Sequence, residues 1–361
     1  MTRQILTTDK MIKKTTLIRN KTKFIILLSY LLIISPGCTQ DEMDIQDTGR
    51  KIVINGFLSS DSLMKVKISK SLFISEEGGY ADSSFYSIKD ASVCIYQNNI
   101  KIDSLFFIRE PNPGEPEFLS TRNTFTWFNF GNYRSKNITP IPGREYKIVV
   151  KAPGVPDATA YTTIPNVVSI NNVDTFRFMT TDFPDMPDVW RKSMKFSVEF
   201  TDPADENNYY LFSMWKAPSW DNNHRNLIFD CDDPVVEEKI EFLSSHYYVK
   251  TSSSWPSLGV AFTDKIINGQ KYQLDVTVLG IEIGAPFDPG WQEADSHRKT
   301  VYLKLYSITE DCYRYIQTLN LYNKNYGNPL ANPVTVYSNI DGGYGIFAGG
   351  ALAIDSIVFN F

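Results

Sequence analysis

Short segments of alternating apolar and polar residues, separated by turn-forming residues, recur along most of this chain. Clear examples are residues 63–72, 271–279 and 300–307. A period of two predicts strands that are buried on one face. The high aromatic content, with 20 Tyr and 23 Phe, also favours strands. The sequence therefore predicts an all-β protein built from two β-sandwich-like domains.

A boundary between these domains is expected near residues 165–170, where Pro165 ends the first run of strands. The first domain is then 51–165 and the second is 166–361. One helix is predicted in the second domain near 309–323, because Thr309 and two acidic residues precede a run with helical spacing. Three final strands are predicted near 334–337, 344–348 and 351–359.

The stretch 24–38 reads FIILLSYLLIISPGC and follows Lys21 and Lys23. A basic start, a short apolar core and small residues predict a secretory signal, because so short a core does not span a bilayer. It resembles a bacterial lipoprotein signal, which predicts a signal peptide over 1–37 and lipidation of Cys38, with palmitate-like acyl chains as a membrane anchor. An uncleaved anchor or a plain secretory signal is the alternative, since Ser35 stands where Leu is usual. Met11 is an alternative start.

Residues 38–50 form a polar tether, and their acidic run 41–44 resembles the surface-export signal of Bacteroidota lipoproteins. We therefore expect a lipid-anchored protein exposed at the outer membrane. The leader carries seven Lys or Arg and one Asp, so its removal changes the net charge from −5 to −11. Such an acidic protein is not expected to bind nucleic acid.

No sequence motif indicates a catalytic, metal or cofactor site. GxSxG, HExxH and GxxxxGK[ST] are absent, and the three histidines lack metal-ligand spacing. The acidic clusters 182–188 and 230–233 fit solvated turns better than a calcium loop. The run 343–349 is GxGxxxG between strands, which favours close strand crossing over phosphate binding. Cys94, Cys231 and Cys312 are expected to be buried thiols, with a Cys231–Cys312 disulfide as the alternative.

Four tryptophans lie in or beside the long loops of the second domain. In loops, Trp can stack on sugars or anchor a protein interface, whereas the alternative is that these rings close the ends of a sandwich. These candidate binding residues are Trp215, Trp220, Trp255 and Trp291.

The end of the chain carries a distinctive motif, with Asn328-Pro329, Ser338-Asn339-Ile340 and the glycine-rich run 342–347. Together with KIVINGFLSS at 51–60, Gly143-Arg144-Glu145-Tyr146 and Ile164-Pro165, it resembles a Bacteroidota lipoprotein family, domain-of-unknown-function family 4249. The resemblance covers nearly the whole chain after the leader. It implies an immunoglobulin-like first domain and association with a TonB-dependent outer-membrane transporter, and it carries no catalytic residue.

The leading hypothesis is therefore a non-enzymatic lipoprotein that acts as accessory or binding partner of a TonB-dependent β-barrel transporter. The first alternative is a surface glycan- or nutrient-binding module that uses the loop tryptophans. A hydrolase with an active site assembled from distant residues is the third.

Overall fold

The computed structural model describes residues 49–71, 87–108, 131–180, 191–204, 206–217, 225–227, 229–241, 257–279, 298–325, 328 and 330–360. These residues form strands and one helix: β1 (Ile52–Ser59), β2 (Lys65–Lys70), β3 (Ser92–Gln97), β4 (Ile100–Phe107), β5 (Tyr133–Arg134), β6 (Glu145–Lys151), β7 (Ala158–Thr163), β8 (Ile170–Thr180), β9 (Arg191–Thr201), β10 (Tyr209–Ala217), β11 (Arg225–Asn226), β12 (Phe229–Asp230), β13 (Val236–Glu241), β14 (Ser257–Thr263), β15 (Lys271–Leu279), β16 (Arg298–Ile308), α1 (Glu310–Asn325) and β17 (Tyr344–Asn360).

The strands form a twelve-strand mixed sheet and a four-strand antiparallel sheet. The smaller sheet has the order β4-β3-β6-β7. In the larger sheet, β2, β1, β17, β16, β10 and β14 are successive neighbours, and β1 pairs with β17 in parallel. The two-residue strand β5 pairs with β2 and β4 and so links the sheets. The prediction of a mostly β protein with one helix is confirmed.

Two cores lie against the same face of β17. Phe347 and Ala351, near its start, pack against the four-strand sheet in a core that includes Ile54 and Ile148. Ala353 and Phe359 pack in a second core between β9–β15 and β10–β16. Both cores are dense in β-branched and aromatic side chains, which alternate with solvent-facing residues as the sequence predicts. The domain boundary near 165–170 stays a prediction, and β17 contributes to cores on both sides of it.

Helix α1 covers the opposite face of the large sheet. Its buried residues Cys312, Tyr313, Tyr315 and Ile316 pack on Leu211 and Ala261 and on the start of β17. The Thr309 Oγ1 atom accepts a hydrogen bond from Cys312 N at 3.4 Å and caps the helix. The predicted helix near 309–323 is thus confirmed. No helix among the described residues is long and apolar enough to cross a membrane.

The end of the chain differs from the three strands predicted there. Residues 344–348 and 351–359 belong to one continuous strand, β17, and the prediction of a strand at 334–337 is wrong. The segment 332–340 uses side chains as hydrogen-bond partners: Tyr337 N donates to Thr318 Oγ1 at 2.8 Å. Ile340 N likewise donates to Ser338 Oγ at 3.3 Å, so these two backbone donors are satisfied without a neighbouring strand.

The glycines of the closing motif lie where backbones approach closely. A Cβ atom on Gly349 would lie 2.0 Å from the Thr163 carbonyl oxygen of β7, and one on Gly345 would lie 2.1 Å from the Ile54 carbonyl oxygen of β1. Gly345 also has φ of 103°, which disfavours other residues. The predicted close approach of strands is confirmed at these glycines, but they lie within the continuous strand β17 and not between strands as predicted.

Candidate functional site

The pairing of β10 with β16 places a polar row on the outer face of the large sheet. Ser213 lies directly opposite Lys304, and Leu211 lies opposite Tyr306. Their neighbours Phe212, Met214, Leu303 and Leu305 point to the opposite face and into the core. Because successive residues of a strand alternate between faces, Trp215 joins Ser213 and Lys304 on the outer face.

The connection between β1 and β2 forms a wall beside this row. Its backbone is held to β17, since Ser60 N donates to the Gly350 carbonyl oxygen at 3.2 Å. The Phe57 ring lies over Gly350, where an added Cβ would be 2.3 Å from the ring. The ring can therefore reach across β17 and meet Tyr306 edge to face, with 5.8 Å between the ring centroids.

Between wall and sheet lies a cleft that we call the Trp215 cleft. Its cavity volume is about 90 Å³, which is room for several ordered waters or for one end of a small ligand that extends into solvent. Residues from the sheet and from the β1–β2 connection line it: Phe57, Ser59, Asp61, Ser62, Leu63, Lys65, Leu211, Ser213, Trp215, Lys304 and Tyr306.

The Lys304 ammonium is the central charge of the cleft. Its Nζ atom lies 4.2 Å from the centroid of the Trp215 ring, a cation–π contact. Burial lowers the pKa of Lys304, and the Asp61 carboxylate partly opposes this change. Asp61 itself is exposed and accepts a hydrogen bond from Ser59 Oγ. The cleft thus holds a cation that has lost part of its hydration.

Two hydroxyl-bearing residues, Ser213 and Tyr306, line the same cleft as this cation. Ser213 is only 1% exposed, and its Oγ atom has no hydrogen-bond partner in the part of the chain that the structure describes. Burial raises the pKa of Tyr306 well above its usual range, and Asp61 adds to the effect, so the phenol stays neutral. A buried polar atom without a partner is uncommon in a folded protein and suggests a missing ligand or water.

The structure places one of the four predicted tryptophans in this cleft. Trp215 is half-buried and lines it. Trp220, Trp255 and Trp291, like the lipidation residue Cys38, lie outside the described residues. The sequence prediction missed Lys304 and Ser213. The signal available for Lys304 was its position as a polar residue on the predicted strand 300–307.

The three cysteines after the leader are free thiols. Cys231 and Cys312 are buried, as predicted, whereas Cys94 is half-buried on β3. Burial raises the pKa of Cys231 to about 12, which makes it unreactive. The alternative prediction, a disulfide between Cys231 and Cys312, is wrong.

The acidic cluster at 230–233 is engaged by neighbouring groups. Lys239 Nζ lies 2.8 Å from Asp232 and 3.6 Å from Asp230. Asp233 accepts hydrogen bonds from the Tyr272 hydroxyl and from Asp275 N. The acidic cluster at 182–188 and the three histidines lie outside the described residues. Among those described, no three His, Cys, Asp or Glu side chains are grouped to hold a metal ion.

Glu237 links helix α1 to the sheet. Its carboxylate accepts hydrogen bonds from Thr263 Oγ1 at 2.5 Å and from the Tyr313 hydroxyl at 2.6 Å, and Lys265 lies 3.4 Å away. Burial alone would raise the pKa of Glu237, but these partners outweigh it and hold the pKa below the usual 4.5.

We therefore expect Glu237→Gln to lower stability at pH 7. A carboxylate with a depressed pKa in the folded state stabilises it above the unfolded pKa, and this contribution is lost as pH falls through the folded pKa. The difference between variant and wild type should narrow below about pH 4. Urea unfolding at several pH values measures it. A difference independent of pH would contradict the role of the charge. Glu145→Gln, which changes an exposed carboxylate on β6, is the control and should leave stability nearly unchanged.

A search of curated proteins finds no match, and neither does a search of solved structures. The model of one family, described as a domain of unknown function (DUF4249), matches residues 40–353. This match spans the β1–β2 wall, the β10–β16 pair and most of β17, and the chain therefore belongs to that family.

Proposed function

We propose that this protein is a non-enzymatic, lipid-anchored binding protein of the outer membrane that holds a small nutrient or glycan fragment in the Trp215 cleft. The observation that carries the proposal is the cleft itself, where a half-buried ammonium, an indole ring and a buried unpartnered hydroxyl converge. Such convergence of a few polar groups in a concave, partly aromatic site is typical of ligand binding. Anchoring through Cys38 and exposure at the cell surface are parts of the same proposal.

The experiment is retention of the full-length protein, in mild detergent, on a glycan array and a nutrient panel. We expect Trp215→Ala to weaken the binding of any retained ligand about ten-fold or more, since an aromatic surface and a cation–π partner are lost together. Tyr161→Ala is the control, because Tyr161 is 50% exposed on β7 and lies outside the cleft. Equal loss in both variants, or none in either, would contradict the proposal.

We also propose that the protein works beside a TonB-dependent outer-membrane transporter. The resemblance described above supports this partnership, and so does strand β8, which carries two exposed apolar side chains. This strand pairs only with β9 among the described residues, and Phe176 and Met179 on it are 66% and 49% exposed. Exposed apolar side chains on an open strand favour a protein partner.

A pull-down of tagged full-length protein from native membranes tests the partnership. We expect a stoichiometric outer-membrane barrel to be recovered, and we expect Phe176→Lys to reduce its recovery while leaving ligand retention unchanged. Trp215→Ala should have the opposite pattern. Recovery of the lipoprotein alone from wild-type membranes would overturn the partnership and leave the binding proposal standing.

At the level of fold, we propose two sandwich-like domains, the first immunoglobulin-like. The packing of β4-β3-β6-β7 against β1 and β2, around a core with Ile54 and Ile148, supports this description. The second sandwich is supported by the core between β9–β15 and β10–β16.

A further inference from the structure

Within the described part of the chain, no carboxylate lies at ion-pair distance from the charge of Lys304. Among the described residues its ammonium forms no ion pair, and its neighbour is the Trp215 ring at 4.2 Å. The Asp61 carboxylate raises the pKa of Lys304 through its charge, but the hydrogen bond that it accepts comes from Ser59 Oγ. A cation that is partly removed from water is destabilised unless an anion or hydrogen-bond acceptor compensates it. A bound anion would supply that compensation.

The Ser213 hydroxyl is a second hydrogen-bond donor on the lining of the Trp215 cleft. It lies directly opposite Lys304 in the β10–β16 register, so their Cβ atoms are about 5 Å apart. Its Oγ atom is buried and has no partner among the described residues. One oxygen of a ligand can therefore accept from the ammonium while another accepts from the hydroxyl. A carboxylate carries two such oxygens on one carbon atom.

The charges and the aromatic rings that line the cleft indicate the charge and the shape of its ligand. Two lysines and one aspartate line the cleft, together with the rings of Trp215, Phe57 and Tyr306, and no arginine does. A dianionic phosphate is usually held by arginine forks or by several backbone amides. A single negative charge on an apolar or ring-shaped body fits this cleft better.

We infer that the Trp215 cleft binds a small monocarboxylate, with its carboxylate between Lys304 and Ser213 and its body against the aromatic wall. This inference rests on the proposed binding function and specifies its ligand class. Two sources share the chemistry: a sugar acid released from a glycan, and an acylated amino acid released from a peptide.

Calorimetric titration of the full-length protein in detergent distinguishes them with matched probes. One pair is D-glucuronate and D-glucose, and the other is N-acetylphenylalanine and its amide. We expect the acid of one pair to bind about ten-fold or more tightly than its neutral partner, since a hydrogen bond to a charged group is lost without the carboxylate. The preferred pair identifies the source. Inorganic phosphate serves as the competing anion.

Variants assign the preference to the cleft. Lys304→Met keeps the apolar stem and should abolish the preference for the acid. Lys147→Met is the matched control, because Lys147 makes a similar contact with the Tyr161 ring at 5.0 Å but lies outside the cleft. Ser213→Ala should weaken binding of the acid several-fold, about the effect of one hydrogen bond. Thermal unfolding confirms that each variant is folded.

Two results would overturn the inference and leave the proposed function intact. In the first, acid and neutral probes bind equally and Trp215→Ala still abolishes binding. In the second, phosphate binds more tightly than either acid. A panel in which no probe binds to wild type would also overturn the monocarboxylate assignment, and the glycan array would then decide whether the cleft binds any ligand.

Discussion

Gly349→Ala is expected to lower the free energy of unfolding by about 4 kcal/mol or more. Losses of this size are exceptional and include those caused by severe steric overlap in a core. The added methyl carbon would lie 2.0 Å from the Thr163 carbonyl oxygen and 2.9 Å from Ile164 Cδ1. The first contact is with backbone, so no side-chain rotation relieves it. Strand β7 and strand β17 would have to separate, and the core that contains Phe347 and Ala351 lies between the same elements. Urea unfolding followed by circular dichroism measures the loss.

Two neighbouring substitutions calibrate this result. In Gly350→Ala the new methyl faces the Phe57 ring at 2.3 Å, and a ring can move, so we expect a smaller loss of about 1–3 kcal/mol. Gly154→Ala meets no atom within 4 Å but has φ of 73°, so about 1 kcal/mol is expected from backbone strain alone. A Gly349→Ala protein as stable as the Gly154→Ala protein would contradict the close crossing.

Asn339→Asp is expected to lower the free energy of unfolding by about 3 kcal/mol or more at pH 7. The substitution replaces a hydrogen-bond donor with a carboxylate that faces the carboxylate of Asp311. The Asn339 amide donates to the Phe347 carbonyl oxygen at 2.8 Å and to Asp311 Oδ2 at 3.1 Å, and it accepts from Phe347 N at 2.9 Å. In the variant, the Phe347 carbonyl oxygen and Asp311 Oδ2 would both face the new carboxylate, and neither would receive a hydrogen bond from it. Since protonation restores a donor, the loss should shrink as pH falls toward 4.

The same chemical change in an exposed turn is the control. Asn98 lies at the β3–β4 turn with φ of 49°, a conformation that Asp also tolerates, so Asn98→Asp should change stability by less than about 0.5 kcal/mol. Asn339→Ala removes the hydrogen bonds without adding charge, and its smaller loss should be independent of pH. If Asn339→Asp were no worse than Asn339→Ala at pH 7, repulsion would not be the cause.

Local signals in the sequence predict much of this fold. Period-two alternation locates β2, β15 and β16, and the Thr309 cap with its acidic first turn locates α1. The two asparagines at 98–99 adopt positive φ in a two-residue hairpin turn, as their chemistry favours. The long loops expected in the second domain contain β11 and β12, which have two residues each, and β13, whose sequence VEEKIE does not alternate and whose pairing with β14 is interrupted by register shifts.

The cleft could not be predicted in the same way, because its parts are distant in sequence. Asp61 and Lys304 come together only through the neighbour order β1-β17-β16-β10, and Ser213 meets Lys304 only through the register of β10 with β16. Period-two patterns identify which residues share a face of a strand, but they do not identify the strand beside it. Trp215 was predicted for its residue type and its place beside a loop, and it is the one predicted binding residue that the structure places in the cleft.

The parallel pairing of β1 with β17 also has a consequence for how the chain acquires its structure. Val53 lies beside Tyr344, so nearly the whole chain is made before this ladder can close. Contacts between residues so far apart slow folding, since the entropy of a long loop is lost before the contact stabilises it. A polypeptide exported amino-terminus first would expose the free edge of β1 until β17 emerges. On the export route proposed above, we expect this protein to depend on periplasmic holding chaperones, and we expect shortened chains that lack β17 to be degraded.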